Sequence, residues 1–122
     1  MAEKLVIIMA NADPTSPSAV SAPLFQATVA AAMEYDVELI ITGRAGELAL
    51  KGMAEKIAIP GSDDRTLQTL VQEAHEAGVR IKICTTALSE WGDELIPEVE
   101  ESVGGAYIIS KVMDDHTVTL TY

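Results

Sequence analysis

The chain has 122 residues, with 8 Lys+Arg against 19 Asp+Glu and a net charge of −11. That length reads as one domain over residues 1–122, long enough to bury roughly two-thirds of its unfolded surface. No cationic stripe is present, which argues against nucleic acid and against anionic lipid as partners.

There is one cysteine, Cys84. An internal disulfide and a multi-cysteine metal site are therefore excluded. No apolar run approaches the roughly 20 residues of a membrane span. The opening stretch runs directly into a strand-like segment, too short and too β-branched for a signal peptide. A reducing, cytoplasmic location is expected.

Leu5–Met9 is an apolar run without alternation, which suits a strand buried on both faces of a parallel sheet. Asn11 to Ser21, rich in Pro, Ser, Asp and Asn, reads as a loop. Pro23 is placed in the first turn of a helix that runs to about Tyr35, with Phe25, Val29 and Met33 as its stripe and alanines between them. Val37–Thr42 is the second strand. Gly43-Arg44-Ala45-Gly46 reads as a turn, and Leu48, Leu50, Met53 and Ile57 suggest a short helix weakened by Gly52. Pro60-Gly61 reads as a turn, and Ser62 or Asp63 is placed as the cap of the next helix. Leu67, Leu70, Val71 and Ala74 form the buried stripe of that helix, and Gly78 ends it.

Val79–Cys84 is the third strand, where the alternating Arg80 and Lys82 suggest one partly exposed face. Thr85-Thr86 is placed as the cap of a short helix that runs through Trp91 and is ended by Gly92. Leu95–Val103 holds at most a short fourth strand, and Ala106–Met113 fits a helix about as well as a strand. Thr117–Tyr122 alternates as a final strand. Strands alternating with helices imply a three-layer α/β/α sandwich on a mostly parallel sheet of about five strands.

Cys84 falls at the carboxyl end of a buried strand and just before a helix start. Sites in open α/β sheets form at the carboxyl ends of strands, and a helix N-terminus favours thiolate over thiol. The same position equally suits a small buried hydrophobe. His75 and His116 read as surface histidines, so neither is assigned as a base for Cys84. Gly43 and Arg44 follow the second strand without the spacing of a phosphate loop. They are placed on the rim that holds Cys84, with Arg44 as a cation for a sulfur anion or simply an exposed turn residue. Asn11 and Asp13 follow the first strand on that rim, as polar pocket residues or turn formers. Glu98, Glu100 and Glu101 read as a solvated charge run. Trp91 covers the pocket or an interface, or anchors its short helix.

Three stretches resemble the DsrE/DsrF-like family of small sulfur-relay proteins. One is Leu24-Phe25-Gln26-Ala27-Thr28-Val29-Ala30-Ala31-Ala32-Met33 followed by Val37-Glu38-Leu39-Ile40-Ile41-Thr42, similar to the family's Ala-rich helix and second strand. Another is Gly46-Glu47-Leu48-Ala49-Leu50-Lys51-Gly52. The third is Gly78-Val79-Arg80-Ile81-Lys82-Ile83-Cys84 with Gly92, Leu95-Ile96-Pro97 and Gly104-Gly105 beyond it, and its Cys-to-Gly spacing is the most specific part. The resemblance implies a small α/β protein that assembles into trimers or hexamers. It also implies sulfur carried as a persulfide at the position of Cys84. Relatives often have Ser three residues after that cysteine, where this chain has Ala87, with Thr85 and Thr86 nearby.

The expected function is therefore sulfur relay, as a carrier or sulfurtransferase. Cys84 takes sulfane sulfur from a donor protein and passes it to an acceptor. A single thiol suffices for this, whereas an internal disulfide oxidoreductase needs two. No metal or organic cofactor is required. The candidate site comprises Cys84 with Asn11, Asp13, Gly43, Arg44, Thr85, Thr86 and Trp91. The alternative is a non-catalytic oligomeric module that binds a small ligand, with Cys84 buried or only redox-sensing. Apolar residues such as Met53, Ile57, Ile59, Ile108 and Ile109 are candidates for contacts between copies.

Overall fold

A computed structural model of the chain describes residues 3–59, 61, 64–92 and 94–122. The strands are β1 (Lys4–Met9), β2 (Asp36–Ile41), β3 (Arg80–Cys84), β4 (Val99–Val103) and β5 (Thr117–Thr121). They form one sheet in the order β4-β3-β2-β1-β5, with every neighbouring pair parallel. Helices α1 (Pro17–Ala32), α2 (Leu67–Glu76), α3 (Thr85–Trp91) and α4 (Gly105–Val112) connect them, with 3₁₀ segments at Gly43–Ala49 and Ala54–Lys56. The architecture is the expected α/β sandwich.

Alternation along the strands sorts the sheet into two unlike faces. Ile7, Met9, Val37, Leu39, Ile41, Ile81 and Ile83 point to one side, where they pack with Val20, Leu24 and Ala27 of α1 and with the Leu67, Leu70, Val71, Ala74 stripe of α2. This is the main core, and the α2 stripe is the one its periodicity predicts. On the other side Val6, Ile40 and Val103 form a small cluster with Ile8, Tyr107 and Ile108. Among the described residues α4 alone lies over that face, and none of its residues is fully buried.

The structure corrects several sequence expectations. The stretch read as a loop already contains the start of α1. Pro17 occupies the first turn, and Pro23 lies inside the helix. The expected stripe of Phe25, Val29 and Met33 is exposed, at 43%, 56% and 62%. The helix instead turns Val20, Pro23, Leu24 and Ala27 inward, and Ala27 lets α1 approach the sheet and α2 closely. The Gly43–Gly46 turn and the helix expected around Leu48–Ile57 are two 3₁₀ segments. Thr66 caps α2, its N–H donating to Thr69 Oγ1 at 3.4 Å. Pro60, Ser62 and Asp63 lie outside the described residues, so the turn and cap placed there do too. Lys82, expected on a partly exposed face, is buried. Ile59 is core rather than contact surface. Of the two alternatives left for the fourth and fifth segments, Val99–Val103 is a strand and Gly105–Val112 a helix.

Candidate functional site

Cys84 is the last residue of β3 and the N-cap of α3, with extended backbone at φ −72° and ψ 138°. Ile41 pairs with Ile83 across β2 and β3, which brings Thr42 alongside Cys84. The thiol is buried, at 6% exposure, under the exposed Thr86. Its Sγ lies 3.2 Å from Thr86 Oγ1. Burial pushes the Cys84 thiol up. The Thr86 hydroxyl and amide, the Thr42 hydroxyl and the Ala87 amide outweigh this, and the net displacement is downward. Hydroxyl and amide dipoles at a helix start therefore favour the anionic form of the thiol. Thr86 supplies a hydroxyl in a chain that has Ala87 where relatives often have Ser.

The other candidate residues fall into two groups along the same strand ends. Asp13 accepts hydrogen bonds from the Thr15 amide and hydroxyl, at 2.9 and 2.7 Å. Arg44 reaches Asp13 Oδ2 at 3.1 Å, so its guanidinium is paired there. The Thr15 bonds and then Arg44 hold the Asp13 carboxyl below its usual range. Asn11 donates its amide to the Tyr122 carbonyl at 2.9 Å, tying the end of β1 to the chain's last residue. The second group is Gly43 and Trp91. Trp91 donates its indole N–H to the Gly43 carbonyl at 2.9 Å. Gly43 sits at φ +54°, and a Cβ there would lie 2.8 Å from the Ala10 carbonyl oxygen. Thr85 is exposed at the start of α3, and its carbonyl accepts from Ser89 at 3.5 Å. His75 and His116 are both exposed.

Trp91 rests directly on Gly46, where a Cβ would come within 2.4 Å of the indole Cδ1. Gly46→Ala is therefore expected to expel the ring and break its bond to Gly43, with a loss of about 2 kcal/mol from overpacking. Trp91 is the single tryptophan, so a red shift of native fluorescence with a lower denaturation midpoint is the expected reading.

Sequence reasoning missed Thr42 and the whole polar system beneath Cys84. Asp36 and Glu38 on β2, and Thr42 just past its end, share a sheet face with Arg80, Lys82 and Cys84 on β3. Arg80 bonds Asp36 at 2.6 Å. Lys82 Nζ lies 2.6 Å from Glu38 Oε1 and 2.9 Å from Glu101 Oε1, and it donates to the Tyr107 hydroxyl at 2.7 Å. The Tyr107 hydroxyl in turn donates to Glu38, and Lys111 approaches Glu38 Oε2 at 3.4 Å. Glu38 and Lys82 are only 3% and 4% exposed. Burial pushes the Glu38 carboxyl up, but Lys82 and Tyr107 outweigh it and hold it below its ordinary value. Burial likewise works against charge on Lys82, and its bonds to Glu38, Tyr107 and Glu101 raise it overall. Glu101 stays exposed, as expected of the acidic run, while its carboxylate reaches in to Lys82. The available signal was an opposite charge inside each of two apolar strands.

A family model described as "DsrE/DsrF-like family" matches residues 4–118 of the chain. The chain belongs to the DsrE/DsrF-like family. Family membership suggests sulfur relay at the level of the family, whose proteins often act in multi-subunit relay complexes. Among solved structures it is similar to the crystal structure of the ychN protein from E. coli, with a TM-score of 0.75 over 100% of both chains. The two share 19% sequence identity, so the likeness is one of fold. No curated protein matches the chain in sequence. Among the described residues no helix is long and apolar enough to cross a membrane.

Proposed function

We propose that this chain is a sulfur carrier in a relay, with Cys84 as the residue that holds the sulfur. The observation that carries this reading is the seat of Cys84 Sγ. It sits at a strand end and a helix start, with Thr86 Oγ1 at 3.2 Å and the donors together lowering its pKa. A thiolate is the nucleophile required. In the first step the Cys84 thiolate attacks the terminal sulfur of a donor persulfide. The donor's S–S bond breaks, the donor leaves as a thiolate, and a persulfide forms on Cys84. In the second step an acceptor thiolate attacks the terminal sulfur and Cys84 returns as thiolate. Sulfur is passed with no net oxidation, so no cofactor is called for.

The carrier acts as a single domain in a homo-oligomer, a trimer or hexamer, in a reducing cytoplasm where the thiol stays free. Asn11, Asp13, Gly43, Arg44, Thr85 and Trp91 shape the rim that donor and acceptor proteins approach. Arg44 is already paired with Asp13, so its part is to fix that rim.

The burial of Cys84 favours a second reading, a non-catalytic module in which the thiol is packing. One experiment separates the two. Native protein is incubated with a sulfane-sulfur donor and examined by intact-mass spectrometry. The carrier gains one sulfur atom, reversibly with a thiol acceptor, and Cys84→Ser gains none. A wild-type chain that stays unmodified and resists alkylation in the native state establishes the second reading.

A further inference from the structure

We infer that copies of this chain pair through the free edge of β5 and the uncharged face of α1 beside it. The sheet has two edges, and they are built differently. The β4 edge carries Glu100 and Glu101, and its pairing register shifts at Ile81/Lys82. Charges and a bulge are the ordinary means by which a free edge avoids pairing with another chain. The β5 edge has neither, since Thr117–Tyr122 contains no charged residue and no proline. Its register against β1 is unbroken.

The face next to that edge is open and apolar. Val118 and Leu120, on the α1 side of β5, are 48% and 38% exposed because no helix covers them. Phe25, Val29 and Met33 of α1 stand exposed beside them, and with Val118 they line a groove of about 460 Å³. Lys4 is the only charged side chain among the residues that line it. A patch of this kind marks an interaction surface.

Charge selects the occupant. The chain has 19 acidic residues, and none lies in Pro17–Ala32 or in Thr117–Tyr122. Two molecules at −11 repel each other over most of their surfaces. This face is where they meet without placing carboxylates together, and a basic partner finds nothing there to pair with. A two-fold axis normal to the sheet joins β5 to β5 antiparallel. Both α1 helices then lie on the same side, where their exposed stripes close over Val118 and Leu120. Such a contact is isologous. The exposed Ile109 and Met113 of α4 are the competing surface, but Lys111 lies among them and Asp114 and Asp115 follow.

The inference rests on the proposed self-association and is independent of the sulfur chemistry. Its test is molar mass by light scattering for the wild type, Val118→Lys, Val29→Glu and Ile109→Lys, with circular dichroism to confirm folding. An isologous pair is expected to split, so each of the first two variants halves the mass of the assembly while Ile109→Lys leaves it intact. Val29→Glu alters an exposed helix position, so it keeps the test valid should Val118→Lys disturb β5. An assembly that survives both variants, or yields only to Ile109→Lys, overturns this interface while leaving self-association standing. A wild-type mass of three chains overturns this two-fold interface, and a mass of one chain overturns both.

Discussion

Lys82→Met is expected to destabilise the fold by about 3–5 kcal/mol, the usual result of removing one partner from a buried ion pair. The substitution keeps the length and packing of the side chain but leaves Glu38, 3% exposed, without its partner at 2.6 Å. Lys111 at 3.4 Å and the Tyr107 hydroxyl only partly compensate. The double variant Glu38→Met/Lys82→Met removes both charges, so it is expected to recover at least half of the loss. Chemical denaturation of the four proteins of this cycle is the measurement. A Lys82→Met loss below about 1 kcal/mol would show that water already reaches the pair.

The pH dependence follows from the directions of the shifts. Glu38 is held below its ordinary 4.5, so its contribution is complete above that value and is lost as pH falls through its folded value. Lys82 is raised above its ordinary 10.5, so its contribution is complete below that value and is lost as pH rises through the folded one. The network is thus at full strength across neutral pH. In Lys82→Met the orphaned Glu38 takes up a proton more readily. Its deficit relative to wild type is therefore expected to shrink as the solution is made acid.

The second large effect concerns the thiol itself. Thr86→Ala and Thr42→Val each remove a hydroxyl that stabilises the Cys84 anion. A hydrogen bond to a charged group is worth ~1.5 kcal/mol or more, so each variant is expected to lower the thiolate population at neutral pH about tenfold. Both hydroxyls serve one sulfur, so the double variant falls short of the product of the two. The readout is the rate of iodoacetamide alkylation against pH. Its inflection moves to higher pH, the alkaline plateau does not fall, and Thr86→Ser restores the wild-type profile. A lower plateau with an unmoved inflection would mean that the hydroxyls control access to the sulfur and leave its charge alone.

Strands were legible because a parallel sheet buried on both faces writes near-continuous aliphatic runs, as in Leu5–Met9. The position of Cys84 was legible because strand ends and helix starts are local features. The orientation of α1 was not. Its bulkiest residues repeat with helical spacing, but the face that packs is set by how closely α2 and the sheet approach, and alanines allow the closer fit. Lys82 looked solvent-facing because alternation cannot show that Glu38, Tyr107 and Glu101 come together over it from three other elements. Thr42 became a neighbour of Cys84 only once the pairing of Ile41 with Ile83 was known.

The ion network has a consequence for how β3 finds its place. Because side chains alternate, a slip of one residue between β2 and β3 would send Lys82 into the aliphatic core and carry Cys84 to the wrong side of the sheet. A slip of two would keep the sides but move the sulfur about 6.6 Å along the strand, away from Thr42. The core-facing aliphatics Leu39, Ile41, Ile81 and Ile83 discriminate poorly against the two-residue slip, since isoleucine replaces isoleucine. A buried ammonium that must meet one particular carboxylate discriminates sharply. The charges under Cys84 therefore act as the alignment mark that delivers the thiol to its donors each time the chain folds.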